Sequence, residues 1–340
     1  MIGGLVLGLL AVVFFSLAIG AMKIPPDKLW ELLVAKITGA AVSESRYEGV
    51  LWQLRAPRVL LGCLVGASLA VAGALLQGLF RNPLADPGLI GISSGAAFGA
   101  AFVLVVGAVL LPKAHALSDP RFLPVAAFAG ALMVTLMVQR LASSGGYTAA
   151  ATLLLAGIAI NALVGSFLGF ATYLATDAQL RSLSFWMLGS LGSASWQTVF
   201  IAAPFCLALV LLAPRWATAL NAMALGEAEA RHLGFSVERI KMILIVLTAL
   251  GVGISVAFTG IIGFVGLVVP HIVRLGLGPD HRWVIPGSAL LGALLLVASD
   301  TVARTIFAPA ELPIGVLTSA FGAPFFLYML FRQRRAAAWT

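Results

Sequence analysis

Long stretches without a charged side chain constrain this sequence more than any other feature. Nine runs of at least 17 residues contain no Asp, Glu, Lys or Arg, and a membrane-spanning helix needs about 20 mostly apolar residues. These runs are Met1–Met22, Val59–Phe80, Gly88–Pro112, Phe122–Gln139, Leu141–Thr176, Ser182–Pro214, Met242–Pro270, Trp283–Ser299 and Leu312–Phe331. Only 10% of the residues are charged, whereas soluble domains carry about 25%. The sequence therefore predicts an all-α polytopic membrane protein. The intervals between the runs are too short for a soluble domain, so residues 1–340 are expected to form a single transmembrane domain.

The run Met242–Pro270 is longer than one span needs and is interrupted by glycines at 260, 263 and 266. Its apolar character continues past Arg274 to Leu277. We therefore divide it into one full helix and a second, shorter helix that starts near Gly263. This division predicts ten transmembrane helices.

The basic residues indicate which side of the membrane each connection faces. Cytoplasmic loops carry an excess of Lys and Arg, and both the loop 215–241 and the tail 332–335 are basic. Both can be cytoplasmic only if an even number of helices separates them, and the prediction places four there. Both chain termini and the turn RNPLADP (81–87) then lie inside, and the segment 23–58 lies outside, in the periplasm.

This orientation leaves many arginines on the outer side. Eleven basic residues fall inside and ten fall outside, although the usual bias favours the inside. The outer arginines either contact phospholipid headgroups and nearby acids, such as Asp300 four residues before Arg304, or they receive an acidic partner. The residues alone leave both interpretations open for Arg55, Arg58, Arg181 and Arg304.

Three segments predict short helices outside the spans. DKLWELLVAKI (27–37) is amphipathic, which is typical of a helix lying on a membrane surface. Leu141–Thr176 exceeds one span, so its end is expected to lead into an external helix that contains Asp177 and Arg181. ALGEAEARHLGF (224–235) places Glu227 in a first turn, where the helix dipole favours an anion. This inner helix is either solvated or a lever that inserts into a cytoplasmic partner.

Glycines in the fifth predicted helix share one face with Asn161, at positions 157, 165 and 169. They serve either helix packing, with Asn161 bonded across the interface, or a smooth wall for a central pathway. The hairpins 66–91 and 251–278 have similar glycine and proline spacing, and the predicted topology orients them oppositely. This pattern suggests an inverted repeat of two five-helix halves, as in many transporters.

The sequence lacks the motifs of several other protein classes. It contains no HExxH, Walker A, nucleophile-elbow or Cys/His cluster pattern, so we predict neither catalysis nor a metal site. An ion-coupled secondary transporter usually keeps acidic residues within its spans, and this chain has almost none there. A net charge of +8 without a soluble basic domain gives no reason to expect nucleic-acid binding. Because the spans contain almost no acidic residues, the energy for any pumping is expected to come from elsewhere.

Several long motifs resemble those of FecCD-type permeases, the membrane subunits of bacterial ABC importers for vitamin B12, haem and ferric siderophores. They are RAPRVLLGCLVGASLAVAGALLQGLFRNPLADPGLIGISSGAAFGA, ALGEAEARHLG, GFVGLVVPHIVR, and DTVAR with ELPIGVLTSAFGAPFF. The likeness implies the type II ABC importer fold, with ten helices per subunit and a homodimer around one pathway in the inner membrane. It also implies two cytoplasmic ATPase subunits that use ATP, one periplasmic substrate-binding protein, lipid contact and no permanently bound cofactor.

The resemblance further implies roles for individual residues. Arg55, Arg58 and Arg304 match arginines that receive glutamates of the binding protein in the vitamin B12 importer. The cytoplasmic gate and its second layer correspond to Asn82, Leu84, Ser143 and Ser144. The coupling helix, which fits a groove on the ATPase, corresponds to Leu225, Gly226, Glu227, Glu229, Ala230, Arg231, Leu233 and Gly234.

The cargo is expected to be an iron chelate. RNPLADPGLIGISSGAAFG and LRSLSFWMLGSLGSASW look closest to the haem-uptake members, and siderophore and vitamin B12 permeases are the alternatives. Haem carries two propionates, so Arg181 at the outer mouth is either an attractor for the cargo, a structural cap or a further docking residue. Asn161 and Arg181 are thus the candidates for the substrate path.

Overall fold

A computed structural model of the chain describes residues 1–20, 22–39, 45–107, 122–144, 147–148 and 150–337. The described chain is almost entirely helical. Its first helices are α1 (Ile2–Ala18), α2 (Pro26–Thr38), α3 (Ser45–Gly49), α4 (Ala56–Phe80), α5 (Ile92–Ala101), α6 (Phe122–Ala142), α7 (Ala150–Leu174) and α8 (Asp177–Met187). The remaining helices are α9 (Trp196–Leu212), α10 (Ala217–Leu225), α11 (Glu227–His232), α12 (Val237–Thr259), α13 (Val265–Leu277), α14 (His281–Ala303) and α15 (Ile314–Ala337).

Short irregular elements connect or extend several of these helices. Two π-helical segments, Val50–Arg55 and Phe102–Val106, precede α4 and follow α5. Two 3-10 turns, Pro87–Ile90 and Ala213–Trp216, precede α5 and α10. The strands Ser143–Ser144 and Tyr147–Thr148 pair antiparallel, with Ser143 opposite Thr148 and Ser144 opposite Tyr147. Residues 145 and 146 of the predicted inner turn lie outside the described residues.

Within the described ranges, six helical runs are long and apolar enough to cross a membrane. They are Arg46–Phe80, Phe122–Ala142, Ala151–Leu174, Trp196–Leu225, Val237–Thr259 and His281–Ala303. Four shorter apolar helices accompany them, over Ile2–Ala18, Ile92–Val106, Val265–Leu277 and Ile314–Met329. All ten segments fall on or overlap the apolar runs of the sequence.

The centre of the bundle is formed by α4, which packs along α13 and α14. A side chain at Gly66 would overlap the carbonyl of Gly292 in α14, and one at Gly73 would overlap the carbonyl of Gly266 in α13. Small residues allow such close backbone approach, which supplies much of the packing energy between helices in a bilayer. The glycines of α4 therefore fix the positions of both neighbours.

The break predicted near Gly263 is confirmed, because α12 ends at Thr259 and α13 begins at Val265. Gly260 has φ +69° and Phe264 has φ +67°, a left-handed conformation that ends one helix and redirects the chain into the next. Non-helical backbone at membrane depth is tolerated where it is buried in protein or lines a water-filled cavity.

Two boundaries differ from the sequence prediction. The outer segment 23–58 is helical from Ser45 onward, so Arg55 and Arg58 lie inside a continuous helical run. Pro57 does not interrupt this run because it occupies the first turn of α4, where a missing N–H is tolerated. The inner loop 215–241 is also shorter than predicted, since helical structure continues from Trp196 to Leu225.

The three short helices predicted outside the spans are present. The amphipathic stretch 27–37 forms α2, whose Leu29 and Leu32 pack against residues of α1 and Leu51. Asp177 and Arg181 lie in α8, which begins with a capping box in which Thr176 and Gln179 bond each other's backbone. The inner helix is confined to Glu227–His232.

Candidate functional site

An arginine cluster lies at the end of the bundle where α4 begins and α14 ends. We use this name for Arg55, Arg58 and Arg304 with the carboxylates of Asp300 and Glu311. Arg58 donates to both oxygens of Asp300 at 2.8–3.1 Å and to both oxygens of Glu311 at 2.9 Å. Arg304 Nε lies 3.7 Å from Asp300 Oδ2, the predicted i,i+4 pair. The cluster thus contains three guanidinium groups and two carboxylates, which leaves one positive charge in excess.

The other two guanidinium groups close the end of α1. Arg55 donates to the carbonyls of Leu17 at 2.6 Å and Ala18 at 2.8 Å, and also to the carbonyl of Met22. Arg304 donates to Ser16, both to its hydroxyl at 2.9 Å and to its carbonyl. The last carbonyls of a helix lack intrahelical donors and carry the negative end of its dipole. Arginine is therefore well suited to this position, and it joins α1, α4 and α14.

A cavity of about 380 Å³ opens beside the arginine cluster. Arg55, Arg58, Arg304 and Glu311 line it together with backbone of the segment Ala308–Pro309. Arg58 is only 13% exposed, whereas Glu311 is 43% exposed and forms the outer part of the ion pair. A carboxylate of a partner would reach these guanidinium groups through this cavity, beside Glu311. The docking role of the three arginines stays a prediction.

The opposite end of α4 carries the turn and the short helix singled out in the sequence. A side chain at Gly78 would overlap His281, the first residue of α14. The backbone N–H of His281 donates to Asn221 Oδ1 at 2.9 Å, and Asn221 donates to Asp280 at 2.6 Å. The N–H of Arg282 and the amide of Asn221 both bond Asp280, which lowers the pKa of its carboxyl. These bonds place α10 at the end of α4 opposite the arginine cluster, and a helix of 25 residues is about 38 Å long.

The helix α11 presents two apolar side chains to its surroundings. Leu225, the last residue of α10, is 73% exposed, and Leu233, the residue directly after α11, is 63% exposed. Gly226 and Gly234 take positive φ values of +146° and +91°, so the chain turns sharply at both ends. Ala230 is fully buried and fixes the opposite face of the helix. Two exposed leucines thus flank this short helix, one on each side.

Ion pairs attach α11 to the start of α12. Lys241 Nζ lies 2.7 Å from Glu227 Oε2 and 3.3 Å from Glu238 Oε1. Arg231 Nη1 lies 3.9 Å from Glu238 Oε1. Glu229 folds back over Gly226, where a side chain would overlap its carboxylate. The predicted coupling residues are therefore brought together, and Lys241 and Glu238 join them from the next helix.

The turn after α4 has a fixed backbone and a projecting leucine. Asn82 Oδ1 accepts from the N–H of Leu84 at 2.9 Å, so the amide side chain shapes the turn itself. Leu84 is exposed. Asp86 Oδ1 accepts from the N–H of Gly88 at 2.8 Å, and burial raises the pKa of this carboxyl. Leu84 thus leaves an apolar side chain exposed in this turn, beside exposed Arg81 and Pro83.

Asn161 in α7 ties this turn to the next helices. Its Nδ2 donates to the carbonyl of Gly88 at 3.0 Å, and its Oδ1 accepts from Ser94 Oγ at 2.5 Å. The packing role left open for Asn161 is therefore present. Side chains at Gly165 and Gly169 would meet nothing within 4 Å, so the C-terminal half of this face is open. Arg181 is exposed on α8, and Ser143 is half-buried in the first strand of the hairpin.

A second cavity, of about 570 Å³, lies where α8 and α12 end and α15 begins. Backbone bonds hold these ends together, from Ser190 N to Thr259 O at 2.7 Å and from Gly315 N to Leu188 O at 3.0 Å. Its lining is apolar except for Ser319, and it comprises Met187, Leu188, Ile261, Gly263, Gly315, Val316, Ser319 and Ala320. We call it the broken-end cavity.

Sequence reasoning missed Gln77, Lys241 and Glu311. Gln77 could have been found from Pro270, because a proline within a helix leaves a carbonyl four residues earlier without its donor. Lys241 and Glu311 looked like ordinary residues at helix ends, and only the packing of distant segments gives them partners. Among the described residues, no group of three or more His, Cys, Asp or Glu side chains could hold a metal ion.

Comparison with known proteins places this arrangement in one family. The sequence model of the FecCD transport family matches residues 8–332. The chain is 44% identical to the hemin transport system permease protein HmuU of Yersinia pestis, over 98% of the chain and 96% of that protein. It is also 44% identical to the cobalamin import system permease protein BtuC of Halobacterium salinarum, over 85% of the chain and 75% of that protein.

The chain belongs to the FecCD transport family. A solved structure of a metal-chelate type ABC transporter in an inward-facing conformation matches with a TM-score of 0.83 and 29% identity. The match includes 97% of this chain and 98% of the chain in the solved structure. As a FecCD protein, this chain is the membrane permease of an ABC importer. It is not an enzyme, because ATP hydrolysis belongs to a separate subunit.

Proposed function

We propose that this FecCD permease imports haem. The observation that carries the proposal is the extent of similarity to the hemin permease, which includes 98% of the chain at 44% identity. The cobalamin permease is equally identical but over a shorter part of both chains. Cobalamin is therefore the second candidate, and a ferric siderophore is the third.

The apolar lining of the broken-end cavity supports a largely apolar cargo. Haem presents a large apolar macrocycle with two anionic propionates, and the cavity walls are apolar. Gly263 adds no side chain, and a Cβ there would meet nothing within 4 Å. Met187 supplies a polarisable thioether to the lining. Arg181 lies six positions earlier on α8, is exposed and is not a lining residue, so we assign it only the attraction of a propionate before entry.

We further propose that two copies of the chain form the transport unit in the bacterial inner membrane. The six long and four shorter apolar helices support ten spans per subunit. Cytoplasmic termini and the inverted repeat follow from the charge pattern and the glycine spacing. The arginine cluster and α11 lie at opposite ends of the bundle, which supports a periplasmic binding protein on one side and two ATPase subunits on the other.

The docking and coupling roles follow from charge and exposure. The cavity beside the arginine cluster carries excess positive charge and suits carboxylates of a binding protein. Leu225 and Leu233 suit a groove on an ATPase, because burying these two exposed side chains in an apolar groove lowers the free energy. We assign the cytoplasmic gate to Asn82, Leu84, Ser143 and Ser144.

Growth of a bacterial strain that lacks its own FecCD permeases tests the cargo. The chain is expressed with its cognate ATPase and binding protein, and the cells receive haem, a ferric siderophore or, in a cobalamin auxotroph, cobalamin. The proposal predicts growth with haem as the iron source. Growth only with cobalamin or only with the siderophore would keep the transporter assignment and refute haem as the cargo.

A further inference from the structure

We infer that Lys241 is a positioning residue that transmits movement of the coupling helix to the transmembrane bundle. The inference rests on the proposed coupling function of α11. Lys241 is 2% exposed and is the largest of the fully buried side chains in the described chain. Its ammonium group lies 2.7 Å from Glu227, the first residue of α11.

The ion pair connects α11 to α12 at the corner of the structure where these two helices meet. Glu227 and Lys241 are 14 positions apart, and the chain turns at Gly234 between them. Ala230 is buried in the same corner and prevents α11 from sliding without its neighbours. A displacement of α11 is therefore passed directly to the first turns of α12.

A rigid helix carries the displacement across the membrane. The helix α12 has 23 residues and is therefore about 35 Å long. Its far end is Thr259, whose carbonyl accepts from Ser190 N at the broken-end cavity. The irregular segment from Gly260 to Phe264 follows at once and can change its dihedral angles as α12 moves. The ion pair and the cavity thus lie at the two ends of one lever.

The chemistry of the pair suits a firm connection. A lysine ammonium has three donors, and here it lies between the carboxylates of Glu227 and Glu238. Removing the ammonium would leave Glu227 in a largely buried place without this charge partner. Glu238 belongs to α12, so its contact with Lys241 lies within that helix, and its link to α11 is the longer pair with Arg231 at 3.9 Å. Glu238→Gln removes this longer pair and keeps the 2.7 Å pair between Lys241 and Glu227, so it is the matched control for Glu227→Gln.

The test measures haem transported per ATP hydrolysed by the full complex of permease, ATPase and binding protein in proteoliposomes. We expect Lys241→Met and Glu227→Gln to lower this ratio about tenfold, within the usual range of allosteric coupling. The Glu238→Gln control should keep most of it. The charge-reversed variant Glu227→Lys with Lys241→Glu is made in the Glu238→Gln background, so that the new carboxylate at 241 does not face that of Glu238. It should raise the ratio at least about threefold above that of either single variant.

Two controls separate the possible failures. Copurification with the ATPase shows whether each variant still assembles, since a merely structural role would lower assembly and leave the ratio of assembled complexes unchanged. An unchanged ratio in assembled Lys241→Met complexes would overturn the inference. If both single variants fail to assemble, the charge-reversed variant decides, because a low ratio in it also overturns the inference. A wild-type complex that moves no haem would instead refute the proposed function.

Discussion

Gln77 offers a quantitative test of how α4 holds the proline-containing helix α13. Its buried Nε2 donates to the carbonyls of Gly266 at 3.1 Å and Leu267 at 3.2 Å. In an uninterrupted helix the Gly266 carbonyl would accept from residue 270, which here is Pro270 and has no N–H. Gln77 Oε1 also accepts from Arg274. The Gln77 amide thus supplies the donor that the Gly266 carbonyl lacks because of Pro270, and it also accepts a hydrogen bond from Arg274 of the same helix.

The substitution Gln77→Met keeps the length of the side chain and removes both hydrogen-bonding groups. A buried acceptor left unsatisfied costs about 1–3 kcal/mol, and interhelical bonds in membranes contribute about 0.6–2 kcal/mol. We therefore expect the free energy of unfolding to fall by about 2–3 kcal/mol. Unfolding of the detergent-solubilised protein by increasing mole fractions of dodecyl sulfate, followed by circular dichroism, measures this change.

A second substitution makes the reasoning refutable. Pro270→Ala supplies an N–H donor for the Gly266 carbonyl. Gln77→Met should therefore lower the free energy of unfolding by about 1 kcal/mol less in that background. Substitutions that do not interact are additive within about 0.5 kcal/mol. Equal costs of Gln77→Met in the two backgrounds would show that Gln77 does not serve the carbonyl freed by Pro270.

Three further predictions follow from the packing, the exposed leucines and the arginine cluster. Gly73→Ala should lower the free energy of unfolding by about 2 kcal/mol, because its methyl group would overlap backbone of α13. The control Gly165→Ala, which faces open space, should be neutral or stabilise by up to about 1 kcal/mol in the same unfolding assay. Leu225→Ser with Leu233→Ser should weaken ATPase binding at least about tenfold in surface plasmon resonance, and unchanged affinity would contradict the coupling assignment. Arg58→Lys should lower affinity for the binding protein about fivefold, because lysine cannot keep the bidentate pairs with Asp300 and Glu311 that hold the arginine cluster together. An unchanged dissociation constant would place docking elsewhere.

The sequence predicted those features of the fold that depend on local composition. The break between α12 and α13 was predictable because three glycines interrupt an apolar run that is too long for one span. The surface helix α2 was predictable because its apolar residues recur at helical spacing. Helix ends that depend on distant partners were not predictable. Arg55 and Arg58 lie inside a helical run because carbonyls of α1 and two carboxylates from the other end of the chain surround them.

The candidate site was predictable to a similar extent. The motif resemblance led to the region of α11, and the structure adds the exposure of Leu225 and Leu233 on both sides of it. The sequence could not show that Lys241 is buried against Glu227, because it lies near the predicted start of a span, where lysines are usually solvated. It also could not show that Glu311 lies 2.9 Å from Arg58, since the two residues are 253 positions apart.

Haem accumulation in sealed proteoliposomes tests the central claim most directly. The vesicles contain this permease with its ATPase, and the binding protein loaded with haem is added outside while ATP is enclosed or omitted. The account predicts that haem accumulates inside only when ATP is present and the ATPase can hydrolyse it. Accumulation that is equally fast without ATP, or that follows an imposed ion gradient, would contradict the assignment as the permease of an ATP-driven haem importer.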